Sequence, residues 1–173
     1  MTIPSDELSN TTHSSSFALL AESYFLSELL QEMWFRRSQL VDVLHSRVDA
    51  FGYDLVLTTD TVTRHVQLKT RRKGARTSRY DLNAQLEELP SACAILMEWA
   101  PPVDDPPFQV GYRWFGGEPG ERMPSLGGKL AKHTKANAAG NKSLRPQIRT
   151  ISTAKLKPVD SMTELATKLF GRP

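Results

Sequence analysis

Hydrophobic and polar residues follow two different periods along the chain, and each period predicts a type of element. Over residues 17–35 the apolar positions recur at helical spacing, which predicts an amphipathic helix. Two runs rich in β-branched and aromatic residues, 53–58 and 62–70, flank a turn at Thr59-Asp60. This pattern predicts a β-hairpin.

The middle of the chain alternates between apolar runs and breaks rich in Pro and Gly. Residues 38–48 fit either a helix or a strand, and the pattern leaves both open. Residues 81–89 predict a helix that ends at Pro90. Strands are predicted over residues 92–99, 108–115 and 148–151.

The two ends of the chain differ in character. Residues 1–16 are polar and rich in Ser and Thr, which predicts a flexible tail, so residues 17–173 are expected to form a single domain. At the other end, Ser161 and Glu164 form a capping box for a last helix, and Gly171 stands just past it. The order helix, hairpin, helix, strand, strand, helix predicts an α/β fold with a mixed sheet.

Composition narrows the class of protein. The 173 residues are 39% hydrophobic and 24% charged, which is typical of a soluble globular protein and argues against global disorder. The single cysteine, Cys93, lies in an apolar run and is predicted to be buried. The chain begins without a basic leader, and the apolar stretch 17–35 contains acidic residues that exclude a membrane span. A cytoplasmic protein without membrane contact is therefore expected.

Charge is distributed in blocks, although the net charge is only +3. Residues 64–79 carry seven Lys and Arg and no acid, and residues 122–157 carry nine and no acid. These two blocks hold 16 of the 22 basic residues. Such acid-free stretches favour contacts with phosphates, although solvated basic loops would have the same composition.

The hairpin carries the candidate chemistry. Because alternate residues of a strand share a face, Gln67 and Lys69 point one way while Val66 and Leu68 point to the core. Asp54 opens the partner strand, so its carboxylate is expected near the same point. Oxygen ligands suit Mg²⁺, and a neighbouring ammonium can orient water or stabilise developing charge. The alternative is that Asp54 caps a turn beside two solvated side chains.

Glu22 adds a second acidic group to this picture. It falls near the centre of an apolar arc on the first predicted helix, where an unpaired carboxylate is costly. It is therefore expected either to pair with a core Arg or Lys, or to point toward a metal or Lys69. The arc comprises Ala18, Leu19, Phe25, Leu26, Leu29 and Met33.

Three motifs together resemble the PD-(D/E)XK nuclease superfamily, especially its Holliday-junction-resolvase-like and Mrr-like restriction branches. They are Glu22 on the first helix, the segment Gly52-x-Asp54-Leu55-Val56 and the segment Val66-Gln67-Leu68-Lys69. Over about residues 17–100, the resemblance implies a restriction-endonuclease-like core, with a central mixed sheet flanked by helices. It also implies that Asp54, Gln67 and Glu22 bind Mg²⁺ or Mn²⁺ and that Lys69 assists catalysis.

The chain departs from the superfamily pattern at two positions. Tyr53 stands where the pattern has Pro, and Gln67 replaces an acidic residue, which removes one negative charge from the metal site. Other segments resemble a bacterial protein family; they are residues 52–57, 65–69, 114–117 and 169–171.

The expected function is a Mg²⁺-dependent DNA endonuclease. Residues expected to bind DNA are Arg71, Arg72, Lys73, Arg76, Lys129, Lys132, Lys135 and Arg145. Cutting both strands of a duplex needs two such sites, so a homodimer is expected. The alternatives are a catalytically inactive nucleic-acid-binding protein of the same fold and a protein-interaction component of a defence or toxin system.

Overall fold

A computed structural model of the protein describes residues 14–48, 50–100, 109–133, 135 and 140–173. These residues form two α-helices, α1 (Ser14–Gln31) and α2 (Met162–Phe170), and nine strands. The first five strands are β1 (Asp42–His45), β2 (Leu55–Thr58), β3 (Thr63–Arg72), β4 (Arg79–Asn83) and β5 (Ala92–Ala100). The others are β6 (Gln109–Gly116), β7 (Leu130–Lys132), β8 (Leu144–Ser152) and β9 (Lys157–Val159). Short helical turns lie at Glu32–Arg36, Ala84–Glu88 and Thr153–Lys155.

The strands form two sheets. The larger has six strands in the order β1-β2-β3-β5-β6-β9, and the smaller has three in the order β4-β8-β7. Strand β3 runs parallel to β5, whereas the other neighbours in the large sheet are antiparallel. The predicted α/β fold with a mixed sheet is thereby confirmed, as is the predicted hairpin, which is the pair β2–β3.

Each face of the large sheet buries a separate apolar cluster. On one face, α1 and α2 pack against residues such as Leu55, Val66 and Ile95. On the other face, the three-stranded sheet and the turn 84–88 cover Ala94, Leu96 and Phe115. In the described part of the chain, both α-helices therefore lie on one face of the large sheet.

The helix predicted over residues 81–89 is wrong. Residues Arg79–Asn83 form β4, because buried Tyr80 and Leu82 alternate with exposed neighbours at the period of a strand. The following turn at Ala84–Glu88 is a single 3₁₀ segment capped by Asn83, whose side chain accepts a hydrogen bond from the backbone N–H of Gln85 at 3.0 Å. The helical pattern in the sequence therefore corresponds only to this short 3₁₀ segment.

The structure also defines the start of α1, the segment 38–48 and the two ends of α2. Helix α1 begins at Ser14, so residues 14–16 belong to it, and the rest of the predicted tail lies outside the described residues. Segment 38–48 contains the strand β1. The capping box is confirmed, because the Ser161 side chain accepts a hydrogen bond from the backbone N–H of Glu164 at 3.1 Å. Gly171 ends α2 with φ of 85°.

No helix among the described residues is both long enough and apolar enough to cross a bilayer.

Candidate active site

Three of the predicted site residues line one cavity. The cavity has a volume of about 280 Å³, and its walls include Glu22 from α1, Asp54 from the turn before β2, and Lys69 from β3. Ala18, Leu68, Thr70 and Met97 complete the lining. The structure therefore brings together an acidic group of the helix with the acid and the lysine of the hairpin.

The register of the hairpin creates this opening. Strand β2 pairs with β3 only as far as Val66, so none of the described strands lies on that side of the next residues of β3. Asp54 occupies the start of the open side, where its carboxylate accepts a hydrogen bond from the backbone N–H of Leu68 at 2.7 Å. By alternation, Thr70 directs its backbone groups to the same side.

The main chain holds Asp54 between two strands. Its N–H donates to the carbonyl of Val66, and its carbonyl accepts from the N–H of Ser46, each at 2.8 Å. Two residues earlier, Gly52 has φ of +81°, and a Cβ there would lie 2.2 Å from the Cβ of Asn83. Only glycine fits both the backbone angle and this close approach, which explains the Gly-x-Asp spacing.

Gln67 lies behind Asp54 and is only 5% exposed. Its amide Nε2 donates to Asp54 Oδ2 at 3.4 Å, and its backbone lies opposite Ala94 of β5. Gln67 therefore lies beside Asp54, as predicted. It contacts the Asp54 carboxylate from behind and is not one of the residues that line the cavity.

Glu22 has a partner that neither alternative named. Its carboxylate Oε1 lies 3.0 Å from Nε2 of His45 on β1, and the side chain also lines the cavity. The predicted apolar arc is also displaced, because Leu19 is 64% exposed while the buried residues of α1 are Ala21, Phe25 and Leu29. Helix α1 buries a stripe at spacing of four residues, and Glu22 lies at its margin.

The donor set suits a hydrated hard cation. Glu22 and Asp54 supply carboxylate oxygens, and Mg²⁺ is commonly bound by one or two carboxylates while it keeps several waters. The described residues contain no group of three or more His, Cys, Asp and Glu placed to enclose a metal ion. These residues therefore fit an open metal site, at which water or phosphate oxygens would complete the coordination of the ion.

Several residues of the first basic block have internal roles. Arg64 is fully buried, and its guanidinium donates to the carbonyls of Leu169 and Lys168 at the end of α2. Arg71 forms an ion pair with Glu98 and donates to the carbonyl of Thr77 at 2.7 Å. These arginines stabilise the fold, and Arg64 cannot reach a phosphate on the surface.

Other predicted phosphate contacts remain accessible. Arg72 is exposed and its guanidinium lies 6.0 Å from the centre of the Trp99 ring. Arg145 is half-buried on β8. The other exposed members of the predicted set are Lys73, Arg76, Lys129, Lys132 and Lys135.

The small sheet joins the two basic blocks. Arg79, the last base of the first block, opens β4, and β4 pairs along its length with β8. Strand β8 in turn pairs with β7, which places Ala131 opposite Arg145. Residues that are 60 to 80 positions apart in sequence therefore share one sheet, a relation that composition alone could not show.

Two aromatic side chains of β6 lie in the core and are not available to stack on bases. Trp114 and Phe115 are 7% and 6% exposed, so their rings pack inside the fold. Trp34, by contrast, is 61% exposed.

Comparisons of this chain with protein-family models, with curated proteins and with solved structures find no match.

Proposed function

We propose that the protein is a Mg²⁺-dependent DNA phosphodiesterase, an endonuclease of the PD-(D/E)XK type. The observation that carries this proposal is the single cavity lined by Glu22, Asp54 and Lys69. The mixed sheet with α1 packed on one face is compatible with a restriction-endonuclease-like core. Mn²⁺ would serve in place of Mg²⁺, because both ions accept oxygen ligands.

Each residue of the cavity has a distinct role in this proposal. Bound Mg²⁺ would supply Lewis acidity and lower the pKa of a water molecule. Asp54 and Glu22 would hold the ion through their carboxylates, with Gln67 behind Asp54 as a weaker ligand or support. The ammonium of Lys69 would orient the attacking water and stabilise negative charge at phosphorus in the transition state.

The route of the DNA follows from the exposed basic residues. Lys73 and Arg76 follow the strand that carries Lys69. Lys132 lies on β7 of the small sheet, and Lys129 immediately precedes that strand. Contacts from these residues to phosphates would bind DNA without sequence preference and with strong dependence on salt.

The second candidate is a catalytically inactive nucleic-acid-binding protein, and Gln67 is the observation that favours it. An amide in place of a carboxylate removes one negative charge from the metal site. Its Nε2 also donates to Asp54 Oδ2, so the amide occupies an oxygen that a metal would use.

The test is cleavage of supercoiled, linear and branched DNA with Mg²⁺ or Mn²⁺. We expect nicking that falls at least ~100-fold in Lys69→Ala and Asp54→Asn, with DNA binding retained. Lys168→Ala, a change on α2, is the matched control and should cleave normally. Binding without cleavage under all of these conditions would support the inactive candidate, and no binding at low salt would contradict both.

A further inference from the structure

An apolar face lies exposed beside the end of α1. Trp34, Phe35 and Leu40 are 61%, 76% and 71% exposed, and Leu30 and Leu44 are 38% and 56% exposed. We call Leu30, Trp34, Phe35 and Leu40 the apolar face. Leu44 lies at the edge of β1 with its side chain on the other side of the sheet, because Val43 and His45 point toward α1. Residues Trp34 and Leu40 line two adjoining hollows of about 420 Å³ and 310 Å³.

The edge of the large sheet borders this face. Strand β1 pairs with β2, and no other described strand lies on its second side. Ser46 donates its N–H toward β2, to the carbonyl of Asp54, so the alternating pattern turns the backbone groups of Val43 and His45 outward. Open edges of this kind pair readily with another strand.

The size of the apolar face matches one half of a stable interface. From the exposed fractions, its four side chains present roughly 450 Å² of apolar surface. One partner of a standard-size interface contributes about 800 Å², of which about 60% is apolar. The face therefore supplies the apolar part of such an interface without any rearrangement.

Three features indicate that the partner is a second copy of the chain. The face carries both protruding rings and hollows, and a surface that meets its own copy about a two-fold axis must contain both. Charges of both signs border it, with Arg36 and Asp42 exposed, so the face does not repel its copy. An edge strand is also self-complementary when it pairs antiparallel.

We propose that two copies of the chain associate through the apolar face, with β1 of one protomer paired antiparallel to β1 of its partner. A two-fold axis at Leu44 places Val43 opposite the partner's His45 and keeps the outward backbone groups in register. Because His45 also contacts Glu22, this interface borders the cavity of each protomer. The proposal does not depend on the proposed nuclease activity.

The first test measures molar mass by light scattering during gel filtration, without DNA or metal. The unaltered chain should have twice the mass of 19.4 kDa, and Trp34→Glu and Leu40→Glu should each weaken dimerisation at least ~100-fold. Leu144→Glu is the matched control, since Leu144 is 52% exposed but lies on the small sheet. Circular dichroism spectra should be the same for all variants, which shows that each chain is folded, and the dimeric parent should melt at a higher temperature than Trp34→Glu and Leu40→Glu. A monomer at all concentrations, or a dimer that survives both variants, would overturn the proposal.

The second test locates the strand pairing. The only native thiol, Cys93, is buried, so a new cysteine reports on its own position. Oxidation of Leu44→Cys should give a covalent dimer, because residues opposite each other on the axis are close enough for a disulfide. Leu144→Cys should stay monomeric on denaturing gels. A solution dimer without this cross-link would overturn the β1 pairing.

Discussion

The carboxylate of Asp54 accepts a hydrogen bond from the backbone N–H of Leu68 at 2.7 Å. This contact continues the pairing of β3 beyond the end of β2, because β2 stops pairing at Val66 and no other described strand takes its place. The same bond holds the candidate metal ligand Asp54 against Leu68, the residue that precedes Lys69 in the chain. Asp54 therefore has a structural role and a proposed catalytic role, which substitutions can separate.

Asp54→Asn and Asp54→Ala should differ in stability but not in activity. Asparagine keeps an oxygen that accepts from Leu68, so its free energy of unfolding in urea should stay within about 1 kcal/mol of the parent. Alanine leaves the N–H of Leu68 without this acceptor and should cost about 1–3 kcal/mol. Both variants should lose cleavage because both remove the carboxylate. Full cleavage by Asp54→Asn would show that the charge is not needed.

Introducing a second carboxylate beside Asp54 with Gln67→Glu should make the site more dependent on metal. The new carboxylate would lie beside that of Asp54 on a buried part of β3, so without metal the two charges repel and the melting temperature should fall. With Mg²⁺ the variant should regain stability and should cleave faster than the parent.

Melting curves with and without Mg²⁺ provide the measurement for this comparison. Gln67→Ala is the control, because it loses the hydrogen bond without adding a charge. An equal response of the parent and Gln67→Glu to Mg²⁺ would indicate that the site does not bind the ion.

The hairpin and the proximity of Asp54 to Lys69 could be predicted because the signals are local. Alternation of side chains places Gln67 and Lys69 on one face, and a short turn brings Asp54 back to the same strand. The capping box of α2 is equally local, since Ser161 and Glu164 lie within one helical turn.

What the sequence did not predict depends on pairing between distant segments. Residues 81–89 gave a helical pattern, yet β8 from the far end of the chain recruits Arg79–Asn83 as a strand. His45 becomes the partner of Glu22 only after β1 joins the sheet. Composition could not distinguish the buried Arg64 from exposed bases of the same block, because its partners are carbonyls at the end of α2.

Basic residues with internal partners should behave differently from exposed ones in DNA binding. Lys73→Ala and Lys132→Ala remove exposed charges, so each should lower affinity and reduce the slope of log K against log salt by about 1. Arg71→Ala should mainly lower stability, because it leaves Glu98 with Arg113 as its remaining partner. Binding titrations at several salt concentrations measure the slope, with Lys168→Ala as control. Unchanged slopes for both exposed lysines would remove them from the interface.

Arg64 should be among the residues most sensitive to substitution. It is 0% exposed, and its guanidinium donates to four backbone carbonyls, including those of Ser91 and Gly117. Arg64→Met fills the space but leaves these acceptors unpaired, which should cost about 3–5 kcal/mol of unfolding free energy. Urea denaturation measures this cost, and Arg76→Met is the control at an exposed site. A loss below about 1 kcal/mol would contradict the structural role.

The thiol of Cys93 should couple the stability of the fold to alkaline pH. Burial raises the pKa of Cys93 from 9.0 to about 12, although the nearby Arg64 opposes this shift. The unfolded chain therefore loses its thiol proton at lower pH than the folded chain. The contribution of this thiol to the free energy of unfolding is fully present below about pH 8.5. It is lost as pH rises toward 12, by up to about 1.4 kcal/mol per pH unit.

Urea unfolding between about pH 8 and pH 10 should show this fall in the parent and a smaller one in Cys93→Ala. Burial also raises the pKa of Tyr80 and Tyr112, but their usual value of 10.0 keeps most of their effect above this window. The difference between parent and variant therefore isolates the thiol. In the folded parent, a thiol reagent at about pH 8 should label Cys93 only as fast as the protein opens, since the side chain is fully buried. Rapid labelling without unfolding, or parallel pH profiles for the two proteins, would contradict the buried, protonated state of Cys93.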